Sequence, residues 1–298
     1  MRFVKLHGYG NDYIVFMGDE SRAAVDLSDL ARRVCERHFG AGSDGIAVVG
    51  PAGGARGADD AGGSRGAADF SVRIFNPDGS EAAMSGNGTR CAAAALVHEG
   101  LWAQRVLRLS TRSGVKLYRL LEADEARGRY RFAAEIGRPR FESASVPMLT
   151  DEPLPRVVRH PLEVAPVETI EVTALEMCNP NCCLFVEDFD ALDWRRLGRL
   201  VESHPRFPAR TNVEFVRVVS PERIEVRIWE RGVGETLSSG TGASAAVVAA
   251  CLNELTNRRV TVETPGGTLA VEWREEDDEV VLTGEAEVVY RGEWLRGE

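Results

Sequence analysis

Residues 73–92, RIFNPDGSEAAMSGNGTRCA, lie over residues 227–246, RIWERGVGETLSSGTGASAA, without a gap. The same distance, 154 residues, separates Arg73 from Arg227 and Ser85 from Ser239. Arg, Ile, Glu, Ser, Gly, Gly and a closing Ala coincide. Each copy reads as a strand, a Gly-rich turn and an Ala-rich helix. The glycines permit positive φ and expose consecutive backbone N–H groups, and a helix N-terminus adds about half a positive charge. Duplicated halves pack about a pseudo-two-fold axis, which is expected to bring Ser85 and Ser239 face to face. Two such helix ends aimed at one point make a carboxylate clamp. A clamped amino acid then offers its Cα to both residues, a geometry suited to removing a proton from one face and returning it to the other. Two similar strand–turn–helix units with no shared site are the plainer alternative.

A weaker echo joins Lys5-Leu-His-Gly-Tyr-Gly-Asn11-Asp12 to Ala174-Leu-Glu-Met-Cys-Asn179-Pro180, now at 168 residues. The segment Pro51–Asp69, almost all Gly, Ala, Asp, Arg and Ser, lies between the two blocks in the first half and absorbs the difference. It has too little apolar surface to offset its ordering entropy and reads as a surface loop. Strands are expected over 2–6, 13–16, 45–49, 71–76, 107–121, 130–136 and 260–283. Helices are expected over 29–38, capped by Ser28, and over 86–99, 190–202 and 240–253. No regular βαβ rhythm appears, so the class is α+β. The domains are expected at 1–133 completed by 286–298, and at 134–285.

Apolar residues make up 44% and charged residues 28%, a globular balance. The net charge of -10 argues against nucleic acid. No apolar run is long enough to span a membrane, and Met1–Phe16 lacks the pattern of a signal peptide. The 6 cysteines show no framework spacing and read as reduced cytoplasmic thiols. A metal site at Cys178, Cys182 and Cys183 is disfavoured because adjacent strand residues face opposite ways. Lys5 and Lys116, the only lysines, both read as outward strand positions, which argues against a pyridoxal Schiff base. No phosphate loop or dinucleotide fingerprint is present. The chemistry therefore falls to side chains, with no cofactor and no metal.

The blocks Lys5–Tyr13, Phe75–Glu81, Gly86–Cys91, Cys178-Asn179-Pro180, Thr211-Asn212-Val213 and Glu230–Thr236 resemble, in order and over essentially the whole chain, the signatures of the diaminopimelate epimerases. The resemblance implies two pseudo-symmetric domains, each a mixed sheet curled around a central helix. It implies cofactor-independent interconversion of LL- and meso-diaminopimelate, for lysine and cell-wall synthesis, and a tendency to form homodimers. Carried onto matching positions, it implies substrate contacts at Asn11, Asn76, Asn179, Asn212, Glu230 and Arg231. The carboxylate clamp would be backbone at Gly86-Asn87 and Gly240-Thr241. A turn or strand-cap role is the plainer reading of any one asparagine. Glu81 and Glu235, repeat-related, read equally as helpers or as surface carboxylates.

The family places a cysteine where this chain has Ser85 and Ser239, and a histidine where it has Asn181. Ser238 and Ser244 stand where Ala and Cys are common. A serine hydroxyl is roughly five units less acidic than a thiol, so an unassisted exchange costs about 7 kcal/mol, or about five decades in rate. Serine works as a base only beside a proton acceptor. Glu230 is the expected acceptor, with Ser85 and Ser239 as the catalytic pair. Three accounts follow. The chain is a natural serine variant doing this or a related epimerisation through carboxylates, a trapped form of an active enzyme, or a binder that does not turn its amino acid over. Departures beyond the catalytic pair favour natural divergence.

Overall fold

The computed structural model describes residues 1–17, 26–52, 67–165 and 168–295. Most of the expected Pro51–Asp69 loop, residues 53–66, lies outside them. The chain divides into two compact units, Met1–Glu135 with Thr283–Glu298, and Ile136–Leu282.

In the first unit, β1 (Arg2–Gly8) pairs antiparallel with β2 (Asn11–Met17). Helix α1 (Leu27–Cys35) then crosses to β3 (Gly45–Pro51), parallel to β2. Next come β4 (Phe70–Phe75), the short β5 (Glu81–Ala82) and helix α2 (Gly86–His98), with β6 (Val106–Thr111) parallel to β4. Strands β7 (Gly114–Asp124) and β8 (Arg129–Gly137) continue the sheet antiparallel.

The second unit opens with β9 (Val157–Ala165) and β10 (Glu168–Glu176). From β10 it repeats the first unit element by element. Strand β11 (Pro180–Phe185) is antiparallel to β10; α3 (Trp194–Glu202) crosses to β12 (Asn212–Ser220), parallel to β11. Then follow β13 (Arg223–Glu230), β14 (Gly234–Thr236), α4 (Gly240–Leu252), β15 (Arg259–Thr264) parallel to β13, and β16 (Gly267–Trp273). Both parallel pairs and both helical crossings recur in order, which is the duplication seen at the level of hydrogen bonding. The last strand, β17 (Val280–Glu293), returns to the first unit, lying between β1 and β8. The sheet of that unit thereby closes on itself.

The central helices explain their composition. In α2 every residue from Gly86 to Leu96 is buried, and in α4 every residue from Gly240 to Ala250. A helix enclosed on all sides has no polar face and little room, so small residues dominate. The outer helices behave conventionally. The apolar stripe of α1, Leu30, Ala31, Val34 and Cys35, packs on Ile14, Phe16, Ile46 and Val48; α3 sets Trp194, Leu197 and Val201 on Phe215 and Phe207. No helix among the described residues is long and apolar enough to cross a membrane.

Boundaries differ from expectation for physical reasons. Asp26, not Ser28, caps α1, accepting from the N–H groups of Ser28 and Asp29. The helix stops at Cys35, because Glu36 turns extended and its carboxylate takes the N–H groups of His38 and Phe39. Asp193 delays α3 to Trp194. The stretch 107–121 is two strands hinged at Gly114, whose φ is +95°, and 260–283 is likewise divided. Neither lysine is an outward strand residue: Lys116 is only 6% exposed, and Lys5 turns in to Asp12 at 2.7 Å and to the Gly42 carbonyl at 2.6 Å.

Two buried features of the second unit are testable by melting. A Cβ on Gly198 of α3 would lie 2.9–3.1 Å from three atoms of Trp229, whose indole N–H is tied to Glu202 at 2.7 Å. Replacing a mid-helix Gly by Ala gains about 1 kcal/mol in propensity, while overpacking costs about 1–3 kcal/mol. Gly198→Ala is therefore expected to lower Tm; a rise would show that the indole yields. Glu214 of β12 is fully buried, with Oε1 unpartnered and the Cys183 thiol 3.7 Å from Oε2. Burial, with the charge of Glu230 adding to it, pushes its carboxyl well above the usual carboxylate range. The folded chain thus keeps a proton that the unfolded chain releases. Its stabilising contribution is full below the ordinary carboxylate value and shrinks as pH rises toward the folded-state value. Glu214→Gln should match the parent's Tm near pH 4 and exceed it increasingly toward pH 8. A gap independent of pH would contradict a protonated Glu214.

Candidate active site

The two Ser-Gly-x-Gly turns have the same backbone. Ser85 has φ −131° and ψ 123°, and Ser239 has φ −130° and ψ 128°. Each is the N-cap of its central helix. Ser85 Oγ accepts the Gly88 N–H at 3.1 Å, and Ser239 Oγ accepts the Gly242 N–H at 3.3 Å. The carbonyls of the same serines receive Thr89 N–H and Ala243 N–H, both at 2.9 Å. The first N–H groups of α2 and α4 are those a helix does not satisfy within itself. Each turn thus presents a serine oxygen beside N–H donors at the positive end of a buried helix.

The surroundings of the two serines differ. The Tyr13 hydroxyl donates to Ser85 Oγ at 2.8 Å. Tyr13 faces Gly45 across the parallel β2–β3 pair. A Cβ at Gly45 or at Gly88 would come within 2.7 or 2.8 Å of its ring, so both glycines make the seat that brings the phenol to Ser85. Ser239 has instead the Thr241 hydroxyl at 3.4 Å. The point above Gly242 where a Cβ would stand is 2.9 Å from Glu214 Oε1 and 3.3 Å from Ser239 Cβ. The buried acid of β12 therefore lies against the first turn of α4.

The asparagines form one chain of amides in each unit. In the first, Asn11 donates to Asp44 at 2.9 Å and accepts from Asn87 at 3.2 Å, and Asn87 in turn accepts from Arg90. Arg90 is anchored by the Glu285 carbonyl at 3.0 Å and stacks over Tyr9. Asp44 shares its surroundings with Asp12. Burial, then the neighbouring Asp12, hold Asp44 above its ordinary value. Asp12 is also raised by burial, but hydrogen bonds from Lys5 and Asp44 and the charges of Lys5 and Arg37 bring it below. Asn76 is outside this chain. Its amide donates to Ser80 at 2.9 Å and steadies the turn around Gly79, whose φ is +85°.

In the second unit, Asn181 donates to the Asn179 carbonyl at 2.7 Å and to its side chain at 3.0 Å, and accepts from Asn212 at 3.3 Å. Asn212 accepts the Arg231 N–H at 2.9 Å, while the Arg231 guanidinium reaches the Ala209 carbonyl at 2.9 Å. Asn181, which sequence reasoning took only as a lost histidine, is the fully buried link of this network. Glu230, at the end of β13, is half-buried beside Arg231. Glu81 and Glu235 hold ion pairs with Arg73 and Arg195 at 2.9 and 2.6 Å, the surface reading of both.

Tyr13 and Glu214 were missed from the sequence, although signals existed. Tyr13 stands two residues after Asn11, and Glu214 two after Asn212, so each lies on the same strand face as a motif asparagine. Among the described residues no group of His, Cys, Asp or Glu is arranged to hold a metal. Cys182 and Cys183 are instead fully buried thiols, pushed up by burial.

The family model described as diaminopimelate epimerase matches residues 3–140 and 173–289. A diaminopimelate epimerase of Pelotomaculum thermopropionicum is 44% identical over 99% of both chains. One from Desulforudis audaxviator is 43% identical over 99% of this chain and all of its own. Among solved structures, a probable proline racemase of Agrobacterium radiobacter superposes with a TM-score of 0.69 at 15% identity, covering 99% of this chain and 92% of its own. A phenazine biosynthesis protein of the PhzF family from Bacillus anthracis gives 0.66 at 14% identity over 99% of both. These two share the fold: two α+β domains, each a mixed sheet around a central helix. By motif order, duplicated topology and full-length similarity, the chain belongs to the diaminopimelate epimerase family.

Proposed function

We propose that the protein is a cofactor-independent epimerase that inverts one Cα of diaminopimelate, interconverting the LL and meso forms, with Ser85 and Ser239 as the proton-transferring pair. The observation that carries this reading is the matched pair of turns, each ending a strand, capping an enclosed helix with serine and leaving N–H groups for a carboxylate. In this reading Gly86, Asn87, Gly240 and Thr241 hold the α-carboxylate. Asn11, Asn76, Asn179, Asn212, Glu230 and Arg231 contact the rest of the substrate, and Glu230 serves as the activating carboxylate for Ser239. Arginine beside several amides suits recognition of a distal amino-acid group. The reaction belongs in the cytoplasm, with the chain as a homodimer and without nucleic acid.

A second reading keeps the binding and omits the turnover, and the serine at both cysteine positions favours it. Exchange of Cα hydrogen in D2O with LL- and meso-diaminopimelate separates the two. An epimerase incorporates deuterium from both isomers. A binder gives heat on titration with the meso isomer and no label over hours. Ser85→Cys with Ser239→Cys should raise the exchange rate by several decades, since a thiolate costs about 7 kcal/mol less to form. No gain from the double replacement would count against both positions.

A further inference from the structure

The Ser85–Tyr13 pair has a consequence for the reaction that the motifs do not contain. Ser85 Oγ is a double acceptor, from Gly88 N–H at 3.1 Å and from the Tyr13 hydroxyl at 2.8 Å. Tyr13 is 5% exposed, and its ring is fixed between two glycines that no larger residue can replace without displacing it. Its repeat counterpart, 168 residues on, is Asn181, whose amide is engaged with Asn179 and Asn212. Ser239 therefore has no phenol from the matching position of its own unit, and the two hydroxyls are chemically unequal.

We propose that Tyr13 is a positioning residue that serves as the proton acceptor of Ser85, making Ser85–Tyr13 a two-oxygen base. The inference rests on the epimerase reading for its substrate, but not for the pairing itself. When the pair loses one proton, the charge settles on the phenol, whose ordinary value is about 10, rather than on the serine. The Ser85 hydroxyl then donates to the Tyr13 oxyanion. In the reaction Ser85 Oγ takes the substrate's Cα proton while passing its own proton to Tyr13. The Cα–H and old Oγ–H bonds break, a new Oγ–H and a Tyr O–H form, and the electron pair stays on Cα, beside the clamped carboxylate. No oxidant or further reactant is required, and the reverse transfer runs through the same atoms. A phenol lies only about 1.5 units above a thiol, so the pair recovers roughly three of the five decades that serine alone forfeits. A side chain that only filled space at position 13 would recover none.

Two measurements test this, one of them without substrate. In Ser85→Cys the new thiol takes the place of the hydroxyl, and its ionisation is read at 240 nm as a difference against the parent. Cys91, Cys182 and Cys183 are held high by burial and stay silent. Adding Tyr13→Phe should raise the new thiol's titration by about one unit, because a donor to the thiolate is lost. An unchanged titration overturns the pairing, whatever the activity. With substrate, Tyr13→Phe in the serine protein should slow Cα exchange about a hundredfold with KM within about threefold. In the Ser85→Cys background the same change should cost less than about tenfold, since a thiolate needs less help. Equal losses in both backgrounds would mean that Tyr13 only supports the fold, and would overturn the relay. A shifted thiol in a protein that exchanges no label would remove the epimerase reading and leave the pairing standing.

Discussion

Enclosing a helix inside a sheet is the constraint from which the rest of each unit follows. A helix surrounded by strands cannot show a polar face, so α2 and α4 are built from Gly, Ala, Ser, Thr, Cys and Val, with few larger residues. Arg90 is the exception that tests the rule. It is fully buried, and every part of it is used: the Glu285 carbonyl, the Asn87 amide and the face of Tyr9. The same enclosure leaves only the helix end available for chemistry. The N-terminal N–H groups are the one set of backbone donors that the helix does not satisfy itself. A serine cap uses one of them and leaves its own oxygen beside the others.

Duplication of the topology does not mean duplication of the chemistry. The turns agree in dihedral angles and capping, whereas what stands behind each serine is different: a phenol for Ser85, and a threonine and a buried carboxyl for Ser239. The differences come from positions that the strands place on equivalent faces, Tyr13 against Asn181 on β2 and β11. A change of one residue type at a repeat position alters the proton inventory of one half and leaves its backbone intact.

Much of this was legible in the sequence, and the limits were specific. The aligned blocks at 73–92 and 227–246 reveal the strand–turn–helix repeat because glycine and serine at turns are dictated by backbone conformation. Among the unread strands were β9 to β12, and the pattern of β12 shows why. Residues 212–216 are buried on both faces, so they lack the alternation that marks a half-exposed strand. The α1 cap was misplaced because both Asp26 and Ser28 are good caps, and a carboxylate with two N–H donors outcompetes a hydroxyl. Tyr13 and Glu214 escaped notice because an aromatic and a glutamate within strands read as packing and solvated face. What marks them is a glycine packed against each, Gly88 beside the Tyr13 ring and Gly242 beside the Glu214 carboxyl.

The return of β17 to the first unit orders the birth of the molecule. Its residues pair with β1 and β8, and Met1 and Trp294 exchange hydrogen bonds at 2.7 Å. On the ribosome, the first unit emerges before the strand that seals it, while the second is one continuous stretch, Ile136–Leu282. The usual vectorial order, amino-terminal domain first, cannot complete the first unit before the second has been made. The unit that holds β1 keeps one seam open until β17 has been synthesised.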